Sequence, residues 1–328
     1  MCTSVMYENA LKEFFLARTM DFTLPLDGNP TFMPSGHSFY TDKTKHFNSS
    51  LSFIGAGRLI DDYIFGAGVN EAGLAVASLY FAADAVYPKK SDEDILELAP
   101  HDVVAYLLGN CKNVLEVKKI IKEIKIVEEI SPVIDGVLPL HWIVADKSGR
   151  SIVIEPVATG IEIYENSVGV MTNSPSFSWH LTNLNQYVNV TNTEKKPMQY
   201  KDFLATGNGA GSGMLGIPGD YTSISRFVRI AFMNQFIEKA QSTEESINVI
   251  SRMLSAVYIP KGVKFKSNGL TDYTQFTSFM DLSNGTYYIN FYENNRYLKL
   301  NIKEISETIS TPKEFKVETT MIFETPEI

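Results

Sequence analysis

The chain has 328 residues, 44% hydrophobic and 20% charged, which suits one large globular domain or two ordinary ones with a substantial core. A formal net charge of −9 with no Lys/Arg stripe argues against nucleic-acid binding. No run of about eighteen apolar residues occurs, so no membrane span is expected, and two cysteines make no disulfide framework.

Cys2 follows the initiator methionine directly. Removal of Met1 would place a thiol and a free α-amine on one residue. An α-amine with a pKa of roughly 7.7–8.0 can accept a proton at neutral pH, so Cys2 would carry its own nucleophile and its own base. Ser4-Val5-Met6-Tyr7 reads as a strand, residues 8–13 as a turn, and Phe14-Phe15-Leu16-Ala17 as a returning strand. Such a hairpin brings Arg18 and Asp21 back beside Cys2. There a guanidinium favours a thiolate and a carboxylate orients an ammonium group. On spacing alone, a chance Cys2 with a surface Arg/Asp pair reads equally well. The N-terminus lacks the basic and apolar regions of a signal peptide, so a cytoplasmic, reducing compartment is expected.

Residues 22–50, punctuated by Pro25, Gly28, Pro30, Pro34 and Gly36, read as a loop, either a pocket wall or ordinary surface. Residues 51–57 and 63–69 flank a polar break at Asp61-Asp62. Residues 74–80 are a continuous apolar run, the pattern of a strand buried on both faces. Residues 100–110 and 113–125 read as helices. In the second, Val114, Val117, Ile120, Ile121 and Ile124 share a face, and Lys118, Lys119, Lys122 and Lys125 form a solvated one. Cys111, in the same helical pattern, reads as a buried small hydrophobe.

Strand signals dominate 133–172, with a turn at Asp146-Lys147-Ser148-Gly149-Arg150. Residues 175–221 are rich in Asn, Thr and Gly. Their glycines lack the Gly-Lys-Ser/Thr ending of a phosphate loop, so they read as a tight connection into a helix. Residues 223–239 and 243–257 read as helices. Residues 274–301 read as an antiparallel meander with turns at Asn284-Gly285 and Asn294-Asn295. Strands and helix pairs in this order suit an α+β sandwich without a visible domain boundary, so 1–328 is expected to be one domain. The five histidines, His37, His46, His101, His141 and His180, show no metal-ligand spacing, and no cofactor is expected.

Met-Cys-Thr-Ser at the start and Ala17-Arg18-Thr19-Met20-Asp21 resemble the choloylglycine hydrolase family of conjugated bile salt hydrolases and penicillin V acylases. The likeness continues through Val69-Asn70-Glu71-Ala72-Gly73-Leu74-Ala75, Leu140-His141-Trp142, Thr172-Asn173-Ser174-Pro175, Asn183-Leu184-Asn185-Gln186-Tyr187, Pro218-Gly219-Asp220-Tyr221, Ser225-Arg226-Phe227 and Tyr292-Glu293-Asn294-Asn295. The resemblance implies a four-layer αββα fold of the N-terminal nucleophile hydrolase type and a homotetramer. It implies hydrolysis of a small-molecule amide with a large apolar acyl group, through a thioester on Cys2. It places Asn173 at the oxyanion and Arg226 near the nucleophile beside Arg18 and Asp21. On their own, Asn173 reads as a turn residue and Arg226 as a surface ion-pair partner.

The resemblance also draws the pocket from loops bearing Met20, Phe22, Leu24, Ile60, Ile134 and Leu140. Tyr80 stands where bile salt hydrolases carry Asn and penicillin V acylases carry Tyr. Its backbone N–H would serve the oxyanion as well as an asparagine's, and its ring suits an aromatic acyl group, or simply packs. These features put a penicillin V acylase first. A conjugated bile salt hydrolase and a hydrolase of other N-acyl amides, such as N-acyl homoserine lactones, are the alternatives. The intact set of site residues argues against a non-catalytic binding protein.

Overall fold

In a computed structural model, the chain is described throughout except at residues 41–45, 61, 92–94, 208 and 327–328. Asp61, half of the expected polar break, thus lies outside the described residues.

The first hairpin forms as its sequence dictates. Strands Cys2–Glu8 and Phe14–Phe22 pair antiparallel, with Cys2 opposite Met20 and Ser4 opposite Arg18. The turn is fixed by buried Asn9, whose side-chain oxygen accepts the N–H groups of Leu11 and Glu13, each at 2.9 Å. Lys12 adopts a positive φ of 63° there. Strand Tyr273–Asp281 then joins from the far end of the chain and pairs with Phe14–Phe22, placing Thr274 opposite Asp21. Val170–Met171 closes one edge. Strands Thr286–Phe291 and Leu298–Asn301 complete six antiparallel strands.

A second antiparallel sheet of eight strands is centred on Leu140–Asp146, Leu74–Tyr80, Tyr63–Asn70 and Phe53–Leu59. The apolar run at 74–80 is buried on both faces. Ala75, Ala77 and Leu79 enter the core between the sheets, while Leu74 and Val76 enter a second core beneath helix Val103–Asn110. Ile143 and Ala145 point the first way and Trp142 and Val144 the second, the period of two of a strand. Helices Ser223–Phe236 and Thr243–Ser255 cover the six-stranded sheet. The result is the expected helix–sheet–sheet–helix stack, an α+β fold.

Three segments depart from the sequence reading. The loop expected at 22–50 contains strands Asn29–Met33, Ser38–Tyr40 and His46–Asn48, short pieces stabilised by sheet partners rather than by their own pattern. The helix expected to reach 125 ends at Ile120, and Ile124–Ile126 pairs parallel with Leu96–Leu98. Cys111 accordingly caps the helix before it rather than lying inside one. Polar residues 175–183 include helix Phe177–Asn183, whose Phe177 N–H reaches both carboxylate oxygens of buried Glu155 at 3.0 and 3.2 Å.

Candidate active site

The hairpin register brings Arg18 and Cys2 together. Arg18 Nη2 lies 2.7 Å from Cys2 Sγ and 3.1 Å from Met20 Sδ. Nη1 donates to the carbonyls of Gly66 at 2.9 Å and Ser78 at 2.8 Å. The guanidinium is fully buried, yet its N–H groups meet sulfur and carbonyl acceptors, as burial of a charge requires. Gly66 makes room for this, since a Cβ there would meet Met20 Cε at 2.9 Å.

Asp21, also fully buried, points its carboxylate at two hydroxyls. Thr274 donates to Oδ1 at 2.6 Å and Thr19 to Oδ2 at 3.1 Å. The terminal ammonium on Met1 donates to the Asp21 carbonyl. Burial pushes the pKa of this amine down. The charges of Cys2, Asp21 and Asp272 oppose that shift, and Arg226 adds to it.

Asn173 joins three groups. Its Oδ1 accepts Cys2 N–H at 2.9 Å and Arg226 Nη2 at 2.7 Å, and its Nδ2 donates to the Tyr80 carbonyl at 2.8 Å. Both neighbours of Oδ1 can only donate, which settles the amide orientation and leaves one Nδ2 hydrogen for another acceptor. Arg226 Nη1 also donates to the Cys2 carbonyl at 2.6 Å and to Thr3 Oγ1 at 2.5 Å. Far from a surface ion-pair partner, Arg226 is fully buried on the first strand. Helix Ser223–Phe236 carries it there, begun by the Thr222 side chain accepting Ser225 N–H.

The backbone around Asn173 is clamped by residues that sequence reasoning did not select. Ser223 Oγ accepts Asn173 N–H at 2.9 Å and donates to its carbonyl at 2.8 Å. His180 Nε2 donates to the same carbonyl at 2.9 Å and stacks on Phe227 at 4.6 Å between centroids. Burial lowers the His180 pKa to about 4, so the ring is neutral at physiological pH. His141 donates from Nε2 to the Thr172 carbonyl at 2.9 Å, with Nδ1 3.1 Å from Glu155 Oε1. The motifs Leu140-His141-Trp142 and Ser225-Arg226-Phe227 contain two of these residues, His141 and Phe227, while Ser223 and His180 lie in no quoted motif. Thr274 gave none, because it meets Asp21 through a strand pairing 253 residues away.

Cys2 and Arg18 lie at the wall of an apolar cavity. Of the six residues expected to form the pocket, Met20, Phe22 and Leu140 line it. Leu24, Ile60 and Ile134 are not among the lining residues. Leu24 is largely exposed, and Ile134 packs on the core beneath helix Val103–Asn110. Leu26, Ile64, Val133 and Leu138 take their part. Tyr80 also lines the cavity, edge-on to Phe22 at 6.0 Å and 61°.

Two facing antiparallel sheets between helix layers, with a cysteine beginning the first strand of the chain, define an N-terminal nucleophile hydrolase. Comparison with known proteins makes this specific. Residues 2–312 match the family described as linear amide C–N hydrolases, choloylglycine hydrolase family. The chain is 33% identical over 302 residues to a bile salt hydrolase/transferase of Clostridium perfringens, covering 90% of this chain and 91% of that one. It is 33% identical over 317 residues to a bile salt hydrolase/transferase of Lactiplantibacillus plantarum, covering 95% and 97%. A crystal structure of the C2A mutant of conjugated bile acid hydrolase from Clostridium perfringens superposes over all of both chains, with a TM-score of 0.91 at 29% identity. The chain belongs to the choloylglycine hydrolase family and is a linear amide hydrolase.

Proposed function

We propose that this enzyme hydrolyses conjugated bile salts, amides joining a large apolar acid to glycine or taurine. The observation that carries the reading is the cavity that Cys2 shares with Met20, Phe22, Leu26, Ile64, Leu138 and Leu140, an apolar wall beside the thiol that suits a large apolar acyl group. The named relatives support the same substrate class. They reverse the order suggested by Tyr80, which had put penicillin V first.

In the proposed mechanism Met1 is removed and the Cys2 amine takes the thiol proton. The sulfur attacks the amide carbonyl, and the oxyanion receives the remaining Nδ2 hydrogen of Asn173. The amine, now ammonium, protonates the leaving nitrogen as the C–N bond breaks. A water molecule gives its proton back to the amine and opens the thioester, releasing the acid and restoring the thiol. Arg18 serves the sulfur, Asp21 serves the amine, and Arg226 fixes Asn173 Oδ1 and the Cys2 carbonyl. No step needs a metal or cofactor.

Penicillin V remains the second reading on one observation, the aromatic corner of Tyr80 and Phe22, which suits a phenoxy ring. One comparison separates the two: kcat/KM for glycocholate, taurocholate and penicillin V, in wild type and Tyr80→Ala. We expect wild type to favour the bile salts and Tyr80→Ala to lose more on penicillin V. Faster cleavage of penicillin V by wild type would restore the other order. Failure on all three would reject the substrate class.

The family match over 2–312 supports one catalytic domain. A homotetramer is kept as part of the proposal, supported by the exposed Met198, Tyr200 and Phe203 of the hairpin at 198–205. A reducing cytoplasm would keep the Cys2 thiol free.

A further inference from the structure

Met1 and the leaving amine compete for one space. Met1 is bonded to the nitrogen that, once freed, protonates the leaving group. The volume beside that nitrogen is therefore where the amine half of the substrate lies. Its charged surroundings are on view through the Met1 ammonium, which feels Asp21, Asp272 and Arg226.

Asp272 projects from the same face as Asp21. Thr274 lies opposite Asp21 and donates to its carboxylate, and Asp272 lies two residues earlier, about 7 Å further along the strand direction. Thr23, two residues beyond Asp21, confirms the shared face by donating to Asp272 Oδ1. Two acidic side chains against Arg226 alone would repel an anionic leaving group.

Two lysines reverse that balance. Lys264 Nζ lies 3.3 Å from Asp272 Oδ2 and Lys266 Nζ 3.5 Å from Oδ1. Three cationic groups now face two carboxylates. Lys264 is half-buried, and its carbonyl accepts Asp272 N–H at 2.9 Å and Thr271 Oγ1 at 3.0 Å, so the cation is tied to the strand. Lys266 Nζ sits 5.6 Å from the ring centroid of Phe22, at the wall of the substrate cavity.

We propose that Lys264 and Lys266, held on Asp272, form the subsite for an anionic group carried two or three bonds from the leaving nitrogen. The group is a carboxylate or a sulfonate. A lysine ammonium is a compact charge without the planar fork of arginine, so it accepts a flat carboxylate and a tetrahedral sulfonate alike. This proposal rests on the bile-salt reading above and names what recognises the amine half.

The test compares glycocholate with its methyl ester in wild type, Lys264→Gln, Lys266→Gln and the double variant. Both substrates are read on one preparation, so any misfolded fraction cancels from their ratio. We expect the acid-to-ester ratio of kcat/KM to fall about fivefold in the double variant, through KM, the scale of a partly exposed charge pair. Lys264→Arg should retain most of the ratio. Added salt should lower the ratio in wild type and move it little in the double variant. Cleavage of both substrates with an unchanged ratio overturns the subsite alone. Cleavage of neither by wild type overturns the bile-salt reading, and the subsite with it.

Discussion

Arg18 Nη2 lies 2.7 Å from Cys2 Sγ, on a guanidinium without solvent exposure. The contact follows from the hairpin, which sets Arg18 opposite Ser4, two residues from Cys2. Replacing Arg18 with Gln removes the charge facing the sulfur and weakens the donors to the Gly66 and Ser78 carbonyls. Each carbonyl left without a partner costs about 1–3 kcal/mol. Arg18→Gln should lower kcat/KM at least about tenfold, on the scale of losing an aligned donor. It should also slow Cys2 alkylation by iodoacetamide at pH 7. Wild-type alkylation and turnover in Arg18→Gln would remove Arg18 from the mechanism.

Asp21→Asn keeps the shape of the side chain, and its one amide oxygen can still accept the shorter bond from the Thr274 hydroxyl, at 2.6 Å in wild type, while its NH2 faces Thr19. It removes the Asp21 charge, which in the unprocessed chain raises the proton affinity of the Met1 amine against the lowering by burial, and the Cys2 amine freed by processing lies one residue away. The amine's pKa should therefore fall further, moving the acidic limb of the kcat/KM profile to lower pH, while kcat drops because the ammonium acid loses its orienting charge. An unshifted limb with unchanged kcat would refute the role.

Cys111→Ala should keep full activity. The thiol is completely buried, and burial pushes its pKa up to about 12, so it is not a thiolate at neutral pH. Losing one sulfur from a packed helix end should cost about 1 kcal/mol, read by denaturant unfolding. Mass-mapped thiol labelling should find the reagent on Cys2 alone. Inactivation through Cys111 would contradict the assignment.

The approach of Arg18 to Cys2 was legible because it is local: both lie on one hairpin, on strands joined by a single turn. Asn173 and Arg226 were legible only through the family likeness, because no local pattern tells a buried side-chain amide from a turn residue. Thr274, Ser223 and the pocket residues Leu26, Val133 and Leu138 depend on which distant strands pair. Ile124 shows the opposite failure. Its helical spacing was real, but parallel pairing of 124–126 with 96–98 overrode it.

His180 makes a pH prediction. Its folded pKa, lowered to about 4 chiefly by burial, lies below the unfolded value of about 6.5, so the folded protein binds fewer protons. Its contribution is fully present above about pH 6.5 and is lost as pH falls from there toward 4. Over that window it amounts to at most about 3 kcal/mol. His180→Gln retains a donor for the Asn173 carbonyl and removes the titration. Its stability curve should be flatter than wild type between pH 6.5 and 4. Parallel curves would show that another group carries the acid limb.

In the proposed mechanism Cys2, freed of Met1, takes the acyl group. Acid-quenched intact-mass spectrometry of the enzyme during glycocholate turnover, followed by peptide mapping, tests it most directly. The active enzyme should be a chain lacking Met1, with a cholyl adduct on Cys2 that is absent from Cys2→Ala. An active enzyme that retains Met1, or an acyl adduct on any other residue, would contradict it.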